Sequence, residues 1–220
     1  MKVAVAGAGN VGQYVASDLV ERGHDVILIE KNGNVIAQDS SKINCTWYQA
    51  DACEPLSLQG TGLDECDVMV ATTGDDKVNL VASLLAKQEF GIPRVIARVN
   101  DPNNQWLFND SWGVDVAVSP PHLLTSLVEE AVTVGDLVRL MPLEKGRISL
   151  VDFRLDEHSA AAGKVISELS LPQDCALVAV VRDGHVIAPR EETPLMVGDE
   201  VLALATPESE QELEEMLSGV

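Results

Sequence analysis

The sequence predicts an α/β protein: a Rossmann-like doubly wound parallel sheet followed by a small α+β C-terminal domain. Over residues 2–138, short runs of Val, Ile, Ala and Leu alternate with longer amphipathic segments, which is the pattern of a parallel sheet covered on both faces. After Met141-Pro142, apolar and polar residues alternate, as they do in antiparallel strands with one solvated face. We therefore expect a first domain at 1–119, a crossover helix and linker at 120–141, and a second domain at 142–220.

Composition and helix punctuation mark the elements of the first domain. Gly23 and Gly91 stand where helices end, and Pro102 and Pro120 stand near helix starts. The segments of helix length include Val11–Arg22, Asp76–Phe90 and Pro102–Ser111. The predicted strands are six short apolar runs: Lys2–Ala6, Asp25–Glu30, Thr46–Ala50, Val68–Thr72, Arg94–Arg98 and Asp115–Val118.

The segment that follows the last of these strands is predicted to be one long amphipathic helix over Pro120–Leu140. Its apolar side chains recur at helical spacing: Leu123, Leu124, Leu127, Val128, Ala131 and Val132. The helix leads into no further parallel strand. It therefore either closes one face of the sheet or crosses to a partner, and the sequence alone favours neither.

The second domain is predicted to consist mainly of antiparallel strands. Ile148–Leu155 and Ala176–Arg182 alternate apolar and polar residues. Within Val180–Ile187, the pair Asp183-Gly184 predicts a tight turn between two strands. The remaining predicted elements are a short helix at Gly163–Leu169, a strand at Glu200–Ala205 and a terminal acidic helix at Ser209–Leu217.

Charge and composition argue against several classes of protein. Lys and Arg total 15 against 35 Asp and Glu, which gives a formal net charge of −20. Such an excess repels phosphate backbones and anionic lipid, so we expect no nucleic-acid binding. A small anionic ligand is still compatible, because backbone amides can hold one locally. The opening strand-like run, the lack of a membrane-length apolar stretch and four cysteines without paired spacing predict a cytoplasmic protein with no metal site.

A glycine-rich turn carries the strongest motif, Gly7-Ala8-Gly9-Asn10-Val11-Gly12. It follows the first predicted strand and opens the first predicted helix, and Glu30 ends the second strand. These features together are typical of dinucleotide binding, with the pyrophosphate at the helix start and Glu30 accepting the ribose hydroxyls. A carboxylate there repels a 2′-phosphate, which favours NAD or an adenine nucleotide over NADP. The alternative is a glycine turn that binds no ligand.

Residues after three further strands border the same edge of the sheet. They are Asp51-Ala52, the run Thr72-Thr73-Gly74-Asp75-Asp76, and Arg98. Ligands of doubly wound sheets bind outside the carboxyl ends of the strands, and a guanidinium can contact a phosphate through two hydrogen bonds. Structural alternatives stay open, because the acid pair could cap a helix and Arg98 could form a salt bridge with a nearby acid such as Asp75.

The sequence lacks the common catalytic motifs. It has no GxxxxGK[ST] loop, no GxSxG elbow and no HExxH pair. Four isolated histidines are better interpreted as turn or surface residues than as catalytic bases: His24, His122, His158 and His185. We therefore expect no catalytic residue and no enzymatic activity.

These motifs, in this order, resemble the TrkA/KtrA family over the whole chain. That family consists of RCK-type cytoplasmic regulatory subunits of potassium uptake systems and channels. In the first domain the resemblance rests on GAGNVG (7–12), Glu30, Asp51-Ala52, TTGDD (72–76) with Asn79, and ARVND (97–101). In the second it rests on the ordered series Gly163-Lys164, Leu169, Leu171-Pro172, Cys175–Arg182, Val186–Pro189 and Gly198–Val201.

The resemblance implies a dimer-based homo-oligomeric ring, commonly of eight subunits, beneath a membrane-embedded potassium-translocating subunit of the Trk or Ktr type. NAD or NADH, or alternatively ATP or ADP, would change the shape of this ring. Some C-terminal domains of the family also bind a second ligand such as cyclic di-AMP. The ring would lie at the inner face of the cell membrane, held by its partner. Residue by residue, the nucleotide contacts fall on Gly7, Ala8, Gly9, Asn10, Val11, Glu30, Asp51, Ala52, Thr73, Gly74 and Arg98.

One position departs from part of the family. Members that distinguish ATP from ADP often carry an arginine where this chain has Asn10, so the resemblance favours the NAD-type members and opposes ATP-driven switching. Two other classes of function compete with this interpretation. A small NAD-dependent oxidoreductase is opposed by the missing acid/base residues, and a dinucleotide-dependent redox sensor acting on DNA is opposed by the net charge.

Overall fold

The computed structural model describes residues 1–132, 134–143 and 147–219. Contacts divide the chain into two compact units, Met1–Pro121 and His122–Val220. Within the described residues, no helix is both long enough and apolar enough to cross a membrane.

A six-stranded parallel sheet forms the centre of the first unit. Its strands are β1 (Lys2–Ala6), β2 (Asp25–Glu30), β3 (Thr46–Gln49), β4 (Val68–Ala71), β5 (Arg94–Arg98) and β6 (Val116–Val118). All six predicted strands are confirmed, three with the predicted bounds and three one residue shorter. The order is β3-β2-β1-β4-β5-β6, so the direction of winding reverses beside β1. Doubly wound sheets bind their ligands at this reversal, outside the carboxyl ends of the strands.

Helices lie on both faces of this sheet, as the doubly wound prediction requires. They are α1 (Asn10–Glu21), α2 (Gly33–Asp39), α3 (Pro55–Leu58) and α4 (Asp76–Gln88). Successive residues of β1 point to opposite faces. Val5 belongs to one apolar cluster with Ala16 of α1, whereas Ala6 belongs to another with Ala82 of α4. Because β1 is covered on both faces, its residues from Val3 onward are buried.

The predicted helix at Pro102–Ser111 is wrong in type. The structure has two 3₁₀ helices there, Pro102–Leu107 and Asp110–Trp112. The side-chain oxygens of Asp101 and Asn109 each accept a backbone N–H two residues further along the chain. Such local hydrogen bonds compete with those of a continuous α-helix, which explains the difference.

The predicted helix at Pro120–Leu140 is too long. The observed helix, α5, covers Pro120–Val132, and the chain enters strand β7 at Leu137–Leu143. Between them Gly135 has φ +90°, a left-handed conformation that a helix does not continue through. Within the predicted helix, Thr133 and the side chains of Glu130 and Ala131 lie outside the described residues.

A five-stranded antiparallel sheet forms the second unit. The strands after β7 are β8 (Ile148–Arg154), β9 (Cys175–Arg182), β10 (His185–Ile187) and β11 (Glu200–Ala205), and the order is β10-β9-β11-β8-β7. The strands predicted in this part are therefore confirmed, and β7 was missed. The predicted Asp-Gly turn is also confirmed, because Asp183 and Gly184 join β9 to β10 with φ values of 49° and 76°.

Two shorter segments complete the second unit. The short helix predicted at Gly163–Leu169 is a 3₁₀ helix at Ile166–Glu168. The terminal helix, α6, covers Pro207–Ser218 and begins at a capping box formed by Thr206 and Ser209. Its buried side chains pack against one face of the antiparallel sheet.

Candidate functional site

A cavity of about 620 Å³ opens in the first unit at the carboxyl ends of the strands. It lies where the order of the sheet reverses, the position at which doubly wound sheets bind ligands. Each of the strands β1 to β5 contributes its last residue or the loop that follows. The lining consists of Gly7, Gly9, Asn10, Val11, Ile29, Glu30, Lys31, Asn32, Ala50, Asp51, Ala52, Thr72, Thr73, Gly74, Asp75, Val78 and Arg98.

Three glycines shape the turn between β1 and α1. Gly7 has φ +98°, and a Cβ on it would stand 2.8 Å from Cγ2 of Thr73. A Cβ on Gly12 would stand 1.9 Å from the carbonyl oxygen of Gly7, so α1 could not pack this closely with a side chain there. A Cβ on Gly9 would meet nothing within 4 Å. Gly9 therefore leaves free space for ligand atoms to approach the backbone.

The N-terminus of α1 faces this space. Gly9 is the N-cap residue and provides no side chain to accept from the first N–H groups of the helix. Asn10 and Val11, the first two helical residues, both line the cavity. Free N–H groups and the positive end of the helix dipole favour an anion at such a position.

Glu30 joins the end of β2 to the glycine turn. One carboxylate oxygen accepts the N–H of Ala8 at 2.8 Å, and the other accepts the N–H of Asn32 at 2.7 Å. A carboxylate has about four acceptor sites, so each oxygen can still accept a ribose hydroxyl. Ala8 itself is buried and is absent from the cavity lining. Its N–H serves Glu30 rather than a ligand.

Asp51 and Ala52 form the wall that follows β3. One carboxylate oxygen of Asp51 accepts the N–H of Cys53 at 2.9 Å, and the other lies 3.3 Å from Nζ of Lys31. The hydrogen bond from Cys53 is the main cause that lowers the pKa of Asp51; Lys31 adds to it, and burial opposes it. The ion pair between Lys31 and Asp51 also connects the loops after β2 and β3, and the side chain of Lys31 is largely exposed.

Thr73, Gly74 and Arg98 form the opposite wall, after β4 and β5. The Nε of Arg98 is buried and has no hydrogen-bond partner among the described residues. Arg98 lines the cavity, and a guanidinium can contact an anionic ligand through two hydrogen bonds. Of the acid pair in this loop, Asp75 is the N-cap of α4 and accepts two backbone N–H groups, as the structural alternative proposed.

The structure brings ten of the eleven residues predicted to contact nucleotide to this one cavity, with Ala8 as the exception. Sequence reasoning did not single out Lys31, Asn32 and Val78, which also line it. The available signal for Lys31 was its place directly after Glu30 at a strand end. Val78 gave no such signal, because it is indistinguishable from the apolar stripe of a core-facing helix.

A second cavity of about 890 Å³ lies within the second unit. Glu210 forms a salt bridge with Arg139 there, and Glu214 accepts the N–H of Leu137 at 3.1 Å. Among its described lining residues, Arg139 is the one cation and five are carboxylates: Glu129, Asp136, Glu210, Glu214 and Glu215. This charge balance disfavours an anionic ligand.

The fold and the first cavity define a protein with a Rossmann-like ligand-binding domain followed by a small antiparallel domain. The TrkA-N domain matches residues 3–120, and the TrkA-C domain matches residues 150–218. The chain therefore belongs to the TrkA family. It is 55% identical over 218 residues to the Trk system potassium uptake protein TrkA of Mycobacterium tuberculosis, covering 99% of this chain and 98% of that protein.

More distant relatives carry the same description. The chain is 28% identical over 219 residues to the Trk system potassium uptake protein TrkA homolog of Methanothermobacter thermautotrophicus, and the match covers the whole of both chains. It is 31% identical over 223 residues to the homolog of Archaeoglobus fulgidus, of which it spans 50%. The resemblance stated from the sequence is confirmed.

Solved structures share the fold. The GsuK channel aligns with a TM-score of 0.64 at 17% identity, covering 98% of this chain and 39% of that one. The GsuK channel bound to NAD aligns with a TM-score of 0.63 at 16% identity over the same shares. The TrkA-N domain of the inner membrane protein ybaL from Escherichia coli aligns with a TM-score of 0.54 at 14% identity, over 60% of this chain and 96% of that one.

Proposed function

We propose that the chain is a cytoplasmic, nucleotide-sensing regulatory subunit of a potassium uptake system. NAD or NADH, or alternatively ATP or ADP, would bind in the first unit. The observation that carries this proposal is the first cavity, which is lined by the glycine turn, Glu30 and Arg98 together. Its volume lies within the range of ligand pockets, about 300–1,000 Å³.

The residues present fit a dinucleotide or an adenine nucleotide. The N–H groups at the start of α1 and the guanidinium of Arg98 would hold the phosphates. The free acceptor sites of Glu30 would take the ribose hydroxyls, and Asp51 with Ala52 would border the base. Binding by these groups needs no acid/base chemistry, so the proposed activity is regulation rather than catalysis.

Regulation follows from linkage. A ligand shifts an equilibrium between two shapes only by its differential affinity for them, and a tenfold preference corresponds to about 1.4 kcal/mol per site. Several sites in one assembly would add their contributions. The names of the relatives, Trk system potassium uptake proteins, support a membrane-embedded potassium-translocating subunit as the partner that responds to the change of shape.

The surface of α5 supports a homo-oligomer, which we propose to be a dimer-based ring of eight subunits. Four of its apolar side chains are 55–74% exposed and recur on one side of the helix: Leu124, Leu127, Val128 and Val132. A contiguous exposed apolar stripe of this kind is typical of an interaction surface. A second copy of the same helix could cover it.

Two measurements test the function. Calorimetric titration of the purified chain with NAD, NADH, ADP and ATP should show binding, and Arg98→Gln should weaken it at least about tenfold. Arg94→Gln, at the exposed amino end of the same strand, is the matched control and should leave it unchanged. In cells that lack their own Trk regulatory protein, the unmodified chain and Arg94→Gln should restore potassium uptake, whereas Arg98→Gln should not.

The competing class of function, a small NAD-dependent oxidoreductase, can be tested with the same purified chain. Steady oxidation of NADH in the presence of small carbonyl compounds would show an oxidoreductase instead. If no nucleotide binds at all, the proposed function is wrong.

A further inference from the structure

Two buried polar side chains of α4 stand behind the cavity wall formed by Thr73, Gly74 and Arg98. Asn79 is fully buried, and Asp76 is 8% exposed. Neither lines the cavity, so neither is a contact residue for a ligand there. Polar groups at such depth need a complete set of hydrogen-bond partners. The partners of these two side chains all belong to the loop after β4 or to the segment that begins at Arg98.

Asn79 joins the loop after β4 to the end of β5. Its Oδ1 accepts the N–H of Thr73 at 2.9 Å and the hydroxyl of Thr73 at 2.7 Å. Its Nδ2 donates to the carbonyl of Thr73 at 3.1 Å and to the carbonyl of Arg98 at 2.9 Å. These four bonds use the full capacity of one carboxamide. One side chain therefore connects Thr73 directly to the backbone of Arg98.

Asp76 holds the chain that follows Arg98. It accepts from the N–H and Nδ2 of Asn100 at 2.6 and 3.0 Å, from the N–H of Asp101 at 3.0 Å, and from Nδ2 of Asn104 at 2.8 Å. Burial on its own raises the pKa of this carboxyl, but these bonds outweigh it and hold the pKa of Asp76 below its ordinary value. Asn100 also donates to the carbonyl of Thr73 at 3.0 Å, which links both segments a second time.

We propose that Asn79 and Asp76 are positioning residues for the phosphate-binding half of the site. They fix the carbonyl of Arg98 and the chain that follows it, so that the side chain of Arg98, which lines the cavity, is positioned before a ligand arrives. Preorganisation of this kind increases affinity, because the ligand need not order the wall on binding. The inference rests on the proposed nucleotide site and adds to it the residues that set its phosphate affinity.

A double-mutant cycle tests the inference with ADP and NAD as probes. Asn79→Ala should weaken the binding of both at least about tenfold in calorimetry. In an Arg98→Gln background the same substitution should have a much smaller effect, because its consequence is transmitted through Arg98. In a Glu30→Gln background it should keep its full effect, since residues that act independently have additive effects.

Ser83→Ala is the matched control. Ser83 is also fully buried on α4, but its hydroxyl donates to the carbonyl of Asn79 within the helix at 2.7 Å. It should lower stability without changing nucleotide affinity. Asn79→Asp retains the two bonds from Thr73 but loses both donated bonds, to the carbonyls of Thr73 and Arg98. It places an acceptor oxygen against these carbonyls and should weaken ADP binding as Asn79→Ala does. If Asn79→Ala does not fold, Asp76→Asn takes its place in the cycle.

The outcomes separate this inference from the proposed function. Additive losses with both Arg98→Gln and Glu30→Gln, or an equal loss of affinity in Ser83→Ala, would overturn the positioning role while nucleotide binding by the unmodified chain stands. Absence of ADP and NAD binding by the unmodified chain would overturn the proposed function, and this inference with it.

Discussion

One carboxylate oxygen of Glu30 accepts the backbone N–H of Ala8 at 2.8 Å, which joins the end of β2 to the glycine turn before α1. The other oxygen accepts the N–H of Asn32. The side chain therefore anchors the turn and, in the proposed function, also accepts the ribose hydroxyls. The two roles can be separated, because a glutamine retains an acceptor oxygen but carries no charge.

Glu30→Ala should weaken the binding of NAD and adenine nucleotides. The substitution removes two charge-assisted hydrogen bonds to the ribose, each about 1.5–3 kcal/mol before compensation. It should also narrow the preference for NAD over NADP, because the carboxylate no longer repels a 2′-phosphate, and Glu30→Gln should do the same with less loss of stability. Calorimetry measures both affinities, with the exposed Glu89→Gln as control. Unchanged affinity for every nucleotide would remove Glu30 from the site.

The exposed stripe of α5 predicts that the chain is not a monomer. Light scattering should give a dimer or a larger multiple of 23.6 kDa. Leu127→Asp places a charge within the stripe and should shift the mass towards the monomer, because burying an unpaired carboxylate is unfavourable. His122→Asp, at an exposed position about half a turn away from the stripe, should not. A single 23.6 kDa species at micromolar concentration of the unmodified chain would contradict the prediction.

The buried ion pair of the second unit predicts a large stability effect. Asp199 is fully buried and accepts from Nε and from one terminal nitrogen of Arg182, both at 2.7 Å. Asp199→Ala removes the carboxylate from that guanidinium and leaves it one hydrogen bond, to the carbonyl of Pro194; it should destabilise the unit by about 3 kcal/mol. Hydrogen exchange of the amides of β9 and β11 measures this locally. Glu200→Ala is the control, because Glu200 lies 3.9 Å from Arg154 with both side chains partly exposed, and such pairs contribute about 0–1 kcal/mol.

Acid should weaken the first unit through Asp76. Its pKa is lower in the folded chain than its ordinary value of about 3.9, so the unfolded chain binds its proton first as pH falls. The stabilisation is present above the unfolded pKa and is lost as pH falls through the folded pKa. Asp76→Asn should therefore be less stable at neutral pH, with a shallower loss of stability below about pH 4. Tryptophan fluorescence reports the unfolding of this unit, which contains Trp47, Trp106 and Trp112. If the free energy of unfolding falls with pH equally steeply in the unmodified chain and in Asp76→Asn, the prediction is wrong.

The strands of the first unit could be predicted from the sequence because burial on both faces leaves almost continuous apolar runs, as in Val68–Ala71. Strand β7 could not. Leu137–Leu143 contains Arg139 and Pro142 and follows an amphipathic helix without a marked break, so its pairing with β8 is a tertiary preference. The 3₁₀ helix at Pro102–Leu107 was missed because Asp101 caps it locally, a contact that helical periodicity does not report.

The candidate site was predicted largely by one rule, that ligands bind beyond the carboxyl ends of parallel strands. The rule finds Glu30, Asp51 and Arg98 because each ends or directly follows an apolar run. It does not find the pairing of Lys31 with Asp51, which requires β2 and β3 to be neighbours. Nor does it show that Asn79 is buried behind the wall, because Asn79 has the same spacing as a surface residue of an amphipathic helix.

Asn10 predicts poor discrimination between ATP and ADP. It lies exposed at the start of α1 and lines the cavity, where a cation could meet a third phosphate. The cations among the described lining residues are Lys31, held by Asp51, and Arg98 on the opposite wall. ATP and ADP should therefore bind within roughly tenfold, about 1.4 kcal/mol, and dinucleotides should compete with both.

Asn10→Arg should change this preference towards ATP, because a charge-assisted hydrogen bond to phosphate is stronger than a neutral one. Asn10→Gln lengthens the side chain without adding charge and should leave the ratio unchanged. The measurement is the affinity for ATP and for ADP in all three proteins at one magnesium concentration. A preference of the unmodified chain for ATP of about a hundredfold, some 2.8 kcal/mol, would show that the interpretation of Asn10 is wrong and that another group contacts the γ-phosphate.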